Sequence, residues 1–207
     1  MPQEPEIVSR SLWFCTPIYE IDIEIDNAFL LRRIYHERDQ DPVGMTRSNL
    51  PETGAWHSHV QTYVWIETKP LLAAIGTLMQ TIAREHAYPP ELQLRLVSMW
   101  ANVLPKGGIT KYHSHPLAHW AGIYYAHADD SHSHIRFHDP RPQALHGYGY
   151  LTGIDDVEPE VRSQVRFQPR TGRLLIFPAW LAHEVEPNLS ETDRVSLSFN
   201  IVQDLPE

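Results

Sequence analysis

Three histidines in the C-terminal half of the chain have the spacing of a metal site. One serine separates His113 from His115, and His183 follows far downstream, shortly after an apolar run that reads as a buried strand. If His113 and His115 lie on one strand, their side chains share a face with backbones about 7 Å apart. Imidazole is a ligand of Zn, Cu, Fe and Ni. The spacing predicts a one-metal site that closes only if His183 meets the pair in space.

Arg194 and Ser196 predict an anion-binding function beside these histidines. They begin the segment RVSLSFNIV, whose alternation places its polar side chains on one face: Arg194, Ser196, Ser198 and Asn200. An unpaired guanidinium on an inward face would be costly, so Arg194 requires an anion. Its donors suit a carboxylate, and the Ser196 hydroxyl can donate to the same group. The alternative is an internal salt bridge to an aspartate or glutamate.

The elements that must position these residues differ between the two halves of the chain. A short strand is predicted around Trp13 to Ile18, followed by a helix that begins near Asn27. A second helix begins at Lys69 and ends near Tyr88, with apolar residues recurring at three and four. From Glu91 onward, short apolar runs broken by Gly, Pro, Asp and Asn predict about eight short strands. They include LQLRLVSMWANVL, WAGIYYAH, HIRFH, GYGYL, VRFQ, RLLIF and RVSLSFNIV.

This pattern predicts a mainly β fold with packed helices, in the form of a jelly-roll barrel. The length of 207 residues suits one domain over 1–207, with helical support at about 20–90 and the barrel at about 91–203. Cys15 is the one cysteine of the sequence, so an intramolecular disulfide is excluded. The helices are expected to cover the apolar face of the last strand.

Charge and hydropathy restrict the partners. The net charge is −9, from 17 basic and 26 acidic residues, which disfavours phosphate backbones and anionic lipid surfaces. The sequence contains no cationic leader followed by an apolar segment, and no apolar run of membrane-spanning length. We therefore expect a cytoplasmic protein with a small-molecule or peptide substrate and no nucleic-acid or membrane partner; a homodimer is left open.

Most of the 13 histidines must be something other than ligands, since seven lie between His113 and His138. Three of them flank a predicted strand and are expected to be solvated: His132, His134 and His138. A second HxH pattern occurs at His57–His59, but no matching distal histidine follows it. We therefore predict that this second segment is a loop.

The combined motifs resemble the double-stranded β-helix of the Fe(II)/2-oxoglutarate-dependent oxygenases. The likeness is greater still to a bacterial and phage group of these oxygenases that is related to prolyl hydroxylases. It covers nearly the whole chain, more weakly before Ser48. The segments that carry it are Trp100–Asn102, His113–Pro116, Gly122–Tyr125, Phe137–Arg141, Gly172–His183 and Arg194–Asn200.

The resemblance implies that His113, His115 and His183 are Fe(II) ligands. The chain departs from the common oxygenase motif at His115, where an aspartate or glutamate normally stands. Three neutral imidazoles still suit a divalent metal, although the site carries one negative charge fewer. Asp139 can restore a carboxylate, but its place before a proline also fits a turn at the end of a strand.

The resemblance also implies co-substrate contacts. Arg194 and Ser196 would hold the distal carboxylate of 2-oxoglutarate, and Asn102 and Tyr125 would make further contacts with this co-substrate. Tyr124 faces the opposite way from Tyr125 if the strand is regular. The implied reaction is hydroxylation that consumes O2 and 2-oxoglutarate.

Two other classes of metalloprotein share part of this pattern. Gly107, His113 and His115 fit the first motif of the cupins, which share the barrel, but His119 replaces the cupin glutamate. A cupin-type metal-binding protein, or a three-histidine dioxygenase or isomerase without 2-oxoglutarate, is therefore the main alternative. Arg194 favours the oxygenase, because cupins have no general need of a carboxylate clamp there. A zinc hydrolase with three histidines would also need a general base, and none is identifiable.

Overall fold

The computed structural model describes residues 14–141 and 163–204, which contain two α-helices and ten strands. The helices are α1 (Asn27–Gln40) and α2 (Lys69–Glu85). The strands are β1 (Tyr19–Asp22), β2 (Trp56–His57), β3 (Gln93–Leu104), β4 (Thr110–His113), β5 (Trp120–His127), β6 (Ile135–His138), β7 (Gln164–Phe167), β8 (Arg173–Pro178), β9 (His183–Val185) and β10 (Arg194–Asp204). The predicted strand GYGYL and residue Trp13 lie outside the described residues.

Both helices begin where the sequence predicts, each for a local reason. The Asp26 side chain accepts a hydrogen bond from the backbone N–H of Phe29 at 2.9 Å and caps α1. Pro70 occupies the first turn of α2, where a missing backbone donor costs nothing. Their buried faces follow the helical repeat: Leu30 and Ile34 in α1, and Leu71, Ile75, Met79 and Ile82 in α2.

The first strand lies later in the chain than predicted. The expectation of a strand around Trp13 to Ile18 is wrong, because β1 begins at Tyr19. β1 pairs with β8 in a register that sets Tyr19 opposite Ile176. Pro17 has no backbone donor for such a ladder, so the segment that contains it is a poor edge strand.

The strands form two antiparallel sheets. One has six strands in the order β1-β8-β5-β10-β3-β2, and the other has four in the order β4-β9-β6-β7. Six of the segments predicted as strands after Glu91 are strands in the described residues, namely β3, β5, β6, β7, β8 and β10, and the structure adds the short strands β4 and β9. Within the described ranges the two sheets are separate ladders facing each other, so the predicted jelly roll is present without a closed barrel.

The six-stranded sheet separates two hydrophobic cores. One core joins the helices to residues such as Tyr124, Leu197 and Phe199, while the other lies between the sheets and includes Tyr125. The apolar face of β10 thus packs toward the helices, as predicted. Gly122 has to be a glycine here, because a Cβ atom would lie 2.2 Å from Cζ of Phe199. The polar face of β10 is left pointing into the space between the sheets.

In the described residues no helix has the length and apolar character needed to cross a membrane.

Candidate active site

Three histidine rings converge between the two sheets. His113 ends β4 and His183 begins β9, and the two are partners across the ladder. His115 lies beyond β4, where its backbone N–H donates to the carbonyl of Ala179 at 2.8 Å. The prediction that His113 and His115 share one strand is wrong, because β4 ends at His113 and His115 lies two residues beyond it. The hydrogen bond to Ala179 holds the backbone of His115 beside the cluster. One ring nitrogen from each histidine lies within 4.8 Å of the others.

Backbone carbonyls orient two of these rings. Nδ1 of His113 lies 2.7 Å from the carbonyl oxygen of Lys111, and Nδ1 of His183 lies 2.9 Å from that of Leu181. A carbonyl only accepts, so each Nδ1 carries the proton and each Nε2 keeps its lone pair for a metal. Nε2 of His115 is 3.3 Å from Nε2 of His183. The rings thus present a common point to which nitrogen lone pairs are directed.

The environment favours the neutral form of two of the three rings. Burial, followed by the effect of the neighbouring His113, lowers the pKa of His183 to about 3. Burial likewise lowers the pKa of His115 to about 4, followed by the effect of His113, while the Asn200 carboxamide acts in the opposite direction. A metal ligand must be deprotonated, so these shifts prepare both rings to bind an ion near neutral pH.

Arg194 forms a buried cationic centre on the same sheet. Its side chain is almost fully buried, its Nη2 donates to the hydroxyl of Tyr125 at 3.2 Å, and its guanidinium lies 4.8 Å from the centre of that ring. Burial raises the pKa of Tyr125, against the opposing effect of Arg194. Nε of Arg194 and Oγ of Ser196 are buried without a hydrogen-bond partner. No described residue forms an ion pair with Arg194, so the alternative of an internal salt bridge is not found there.

One cavity of about 240 Å³ connects the histidines to Arg194. Its walls include the three rings, Arg194, Ser196 and Asn102, and no aspartate or glutamate is among the described residues that line it. A buried guanidinium with no acidic neighbour is costly unless an anion joins it. The cavity therefore combines a place for a metal ion with a place for an anionic group.

The remaining predicted contact residues lie around the same centre. Asn102 of β3 and Tyr125 of β5 both pair with Ser196 of β10, one on each side. The Asn102 amide donates to the hydroxyl of Ser198 at 3.2 Å. The Tyr124 hydroxyl donates to Oδ1 of Asn27 in helix α1 at 2.9 Å, so the prediction that it faces away is confirmed. All seven sequence-predicted site residues are thus brought into one neighbourhood.

Two polar residues of the cavity wall, His57 and Arg47, were not predicted as site residues. The ring of His57 stacks on Trp100 at 5.5 Å between centroids, and the Trp100 ring lies 5.9 Å from that of His115. Arg47 donates from Nε to the carbonyl of His57 at 3.0 Å and also lines the cavity. The loop predicted for the second HxH segment is wrong at its start, because Trp56–His57 is strand β2, paired with β3. The only sequence signal for His57 was the HxH pattern itself.

The other histidines have structural partners. His132 is buried, with Nδ1 3.0 Å from Oδ1 of Asp129, so the expectation of a solvated ring is wrong for this residue. It connects two loops that neither helix nor strand pattern places together. His134 lies near the carboxylate of Glu186, which directly follows β9, and His138 lies near the carboxylate of Glu184 in β9.

His119 and Asp139, the two residues considered as alternative metal ligands, do not belong to the histidine cluster. His119, at the place of the cupin glutamate, accepts a hydrogen bond on Nδ1 from the backbone of Gln203 at 3.0 Å. The carboxylate of Asp139 accepts hydrogen bonds from Arg141, at 3.0 Å from Nε and 2.8 Å from Nη2. Among the described residues, the ligand set that the geometry offers is therefore three imidazoles without a carboxylate.

Residues 98–200, which include the seven site residues predicted from the sequence, match the protein family described as "Putative 2OG-Fe(II) oxygenase". The chain belongs to the Fe(II)/2-oxoglutarate-dependent oxygenases. It is accordingly an enzyme of the dioxygenase class. No curated protein matches the sequence.

Solved structures of this superfamily share the fold. A Pseudomonas putida prolyl-4-hydroxylase has 15% identity and a TM-score of 0.58, covering 88% of this chain and 91% of its own. The viral collagen prolyl hydroxylase from Paramecium Bursaria Chlorella virus-1, in its 2-oxoglutarate complex, has 10% identity and a TM-score of 0.54, covering 89% and 94%. HygX from Streptomyces hygroscopicus, with nickel and 2-oxoglutarate bound, has 11% identity and a TM-score of 0.54, covering 90% and 82%. The described sheets are therefore those of a double-stranded β-helix.

Proposed function

We propose that this oxygenase is a hydroxylase in which His113, His115 and His183 hold Fe(II), and Arg194 and Ser196 hold 2-oxoglutarate. The observation that carries the proposal is a single cavity with three convergent imidazoles and a buried guanidinium that has no acidic partner among the described residues. The imidazoles alone would also suit a zinc protein, and the guanidinium alone would suit many anion-binding proteins. Their combination in a member of this superfamily matches the two requirements of the reaction.

The three histidines fit an Fe(II) ion by the chemistry of their donors. Two have the Nδ1 proton fixed on a carbonyl, and the neutral ring nitrogens lie within 4.8 Å of one another. Imidazole ligands suit iron, although they also suit zinc, copper and nickel. When bound, the iron supplies the redox chemistry that couples O2 to oxidation of the co-substrate and substrate.

The co-substrate fits the opposite end of the cavity. 2-Oxoglutarate carries two carboxylates, and Arg194 Nε with Ser196 Oγ offers two buried donors that lack an acceptor. The Tyr125 hydroxyl accepts from the other side of the guanidinium and holds it in place. Asn102 supplies a further amide on the neighbouring strand. The dianion removes the cost of the buried charge on Arg194.

The overall reaction is balanced by its co-substrate. One O2 is consumed, 2-oxoglutarate becomes succinate and CO2, and one oxygen atom converts a substrate C–H bond to C–OH. The chain contributes fixed ligands, an anion clamp and a cavity shielded between two sheets. The similar prolyl hydroxylases support a peptide side chain as substrate, whereas the epimerase SnoN from nogalamycin biosynthesis supports a small molecule. A net charge of −9 favours a neutral or cationic substrate over nucleic acid.

Anaerobic titration of the Fe(II)-loaded protein with 2-oxoglutarate tests the proposal. We expect the weak visible charge-transfer band of a metal-chelated 2-oxo acid. Arg194→Ala should require at least about a hundredfold more 2-oxoglutarate, because a buried charge pair is lost, while iron affinity stays unchanged. Ser196→Ala should show a smaller loss, and replacement of the exposed Arg170 by alanine should show none. Absence of the band from protein with iron bound would overturn the co-substrate assignment and favour a three-histidine enzyme that does not use 2-oxoglutarate.

A further inference from the structure

Asn200 of β10 has a buried hydrogen-bond acceptor without a donor. It lies on the polar face of β10 and pairs with Ser98 of β3 on one side and Ala121 of β5 on the other. Its Nδ2 donates to the hydroxyl of Ser98 at 3.1 Å. Its Oδ1 is buried and meets no donor at hydrogen-bond geometry. A buried amide oxygen without a donor costs stability, so a donor close to Oδ1 is expected.

In the part of the chain that the structure describes, the ring of His115 lacks a hydrogen-bond acceptor for its N–H. The Nδ1 atoms of His113 and His183 each have a backbone carbonyl as acceptor. Among the described residues, the ring nitrogens of His115 have one partner at hydrogen-bond geometry, which is Nε2 of His183 at 3.3 Å from Nε2 of His115. A neutral imidazole still carries one N–H, and that proton must leave Nε2 if this atom is to bind a metal.

The missing donor and the missing acceptor lie next to each other. Asn200 pairs with Ser98 of β3, whose side chain shares a face with that of Trp100 two residues further on, and the Trp100 ring lies 5.9 Å from the ring of His115 between centroids. In agreement with this placement, the Asn200 carboxamide raises the pKa of His115 against the larger effect of burial. Asn200 is also anchored from its other end by Ser98, which turns Nδ2 away and leaves Oδ1 for the ring.

We propose that Asn200 is a positioning residue whose Oδ1 accepts the Nδ1–H of His115 and so directs Nε2 to the metal. The inference rests on the proposed function, because it takes His115 to be a ligand. It also explains how the chain accommodates its departure from the common oxygenase motif at His115. A carboxylate ligand has no N–H and needs no acceptor, whereas a histidine in the same place needs one. His115 and Asn200 therefore work as a pair, in which the acceptor compensates for the replacement of the carboxylate.

Cobalt titration of the metal-free protein tests this pair without measuring turnover. Asn200→Leu keeps the approximate volume and removes the acceptor, so Co(II) affinity should fall about ten- to a hundredfold, the usual loss for a group that orients a ligand. Asn200→Asp keeps an acceptor and should retain the affinity of the parent protein within about threefold. Ser98→Ala leaves Oδ1 in place and serves as the control for loss of the neighbouring hydrogen bond.

A double-mutant cycle separates positioning of His115 from a general structural role. In a His115→Asp background there is no ring to orient, so Asn200→Leu should change Co(II) affinity by less than about threefold. An equal loss in both backgrounds would mean that Asn200 supports the fold, and the inference would be wrong. Unchanged affinity of the single Asn200→Leu variant would also overturn it. Failure of the parent protein to bind any metal would instead overturn the proposed function.

Nitrogen-15 NMR of the histidines in the parent protein gives a test that does not depend on the folding of a variant. His115, assigned by its loss in His115→Asp, should be in the tautomer with the proton on Nδ1 in the metal-free state. A proton on Nε2 would contradict the inference. Asn200→Asp should preserve the Nδ1–H tautomer, and Asn200→Leu should mix the two forms.

Discussion

Two His-Ser-His segments lie on the wall of one cavity, yet only one of them meets a third histidine. His113, in the segment His113–His115, pairs across the sheet with His183. His57, in the segment His57–His59, pairs across the other sheet with Asn102 and stacks on Trp100. The same tripeptide therefore joins a cluster of three histidines in one place and forms cavity wall in the other. The residue on the partner strand makes the difference.

The two segments do not differ in the direction of the pKa shift of two partly buried histidines, His57 and His115. Burial lowers the pKa of His57, as it lowers the pKa of His115. The Nδ1 of His57 also contacts a backbone carbonyl, that of Ser58, at 2.7 Å. Both segments thus offer neutral and oriented imidazole, but a single ring binds a metal weakly without further ligands nearby. A neutral, oriented histidine forms a metal site only when other ligands reach the same point in space.

Removal of the third ligand should have the largest effect on this comparison. His183→Ala should weaken Co(II) or Fe(II) binding by more than about a hundredfold, because two imidazoles remain. His57→Ala, in the other segment, should leave metal affinity within about threefold. Calorimetric metal titration of the two variants measures the difference. Comparable losses would mean that the second segment shares the metal.

A glycine substitution beneath the second segment should lower the free energy of unfolding without changing the metal site. A Cβ atom on Gly44 would lie 2.0 Å from Nε1 of Trp56, whose ring donates to the carbonyl of Asp41. Gly44→Ala should therefore destabilise the fold by about 1–3 kcal/mol through overpacking. The matched control is Gly76→Ala on helix α2, where a Cβ meets nothing within 4 Å and alanine favours the helix. Urea unfolding distinguishes the pair, and an unchanged Gly44→Ala protein would show that the Trp56 packing is dispensable.

A carboxylate at position 115 should be tolerated by the first segment. His115→Asp restores the two-histidine, one-carboxylate ligand set of common oxygenases, so metal affinity should stay within about tenfold of the parent protein. His57→Asp is the matched change in the second segment and should leave metal affinity unaltered. Metal titration checks both. Complete loss of binding in His115→Asp would show that residue 115 does not stand at the place of the usual carboxylate.

The smallest expected effect is the pH dependence of stability in metal-free protein. The folded-state pKa values of His115 and His183, about 4 and about 3, lie below the ordinary value near 6.5. The unfolded chain therefore takes up protons first as the pH falls, and stability is lost progressively from about pH 6.5 downward. Thermal unfolding from about pH 7.5 to about pH 5 should show a lower Tm at acid pH. The decrease should be smaller in His183→Ala; an identical decrease would assign it to other groups.

The local patterns of the sequence were sufficient for much of the fold. Helix α1 begins at Asn27 and α2 at Lys69, where capping and periodicity predict them. Alternation along β10 correctly assigned its polar face to the interior and its apolar face to the helices. Such features depend on neighbours within a turn or a strand, so a single sequence contains them.

Several features depend on partners distant in sequence. Neither the start of β1 nor the strand β2 was predictable, because pairing with β8 and β3 decides them. The end of β4 at His113 was also missed, since the next backbone hydrogen bond of this segment joins His115 to Ala179, a residue distant in sequence. These pairings join segments dozens of residues apart, and local propensity carries no information about their register.

The sequence by itself determined the chemistry that the chain can offer: three histidines, one arginine that needs an anion, and strands with one polar face. Only the tertiary structure decided which histidines meet, because His115 and His57 stand in identical tripeptides. It also placed the free oxygen of Asn200 near the one ring without a carbonyl acceptor. The physical reason is that residue type and alternation fix which way a side chain points, while the pairing of distant strands fixes what it meets.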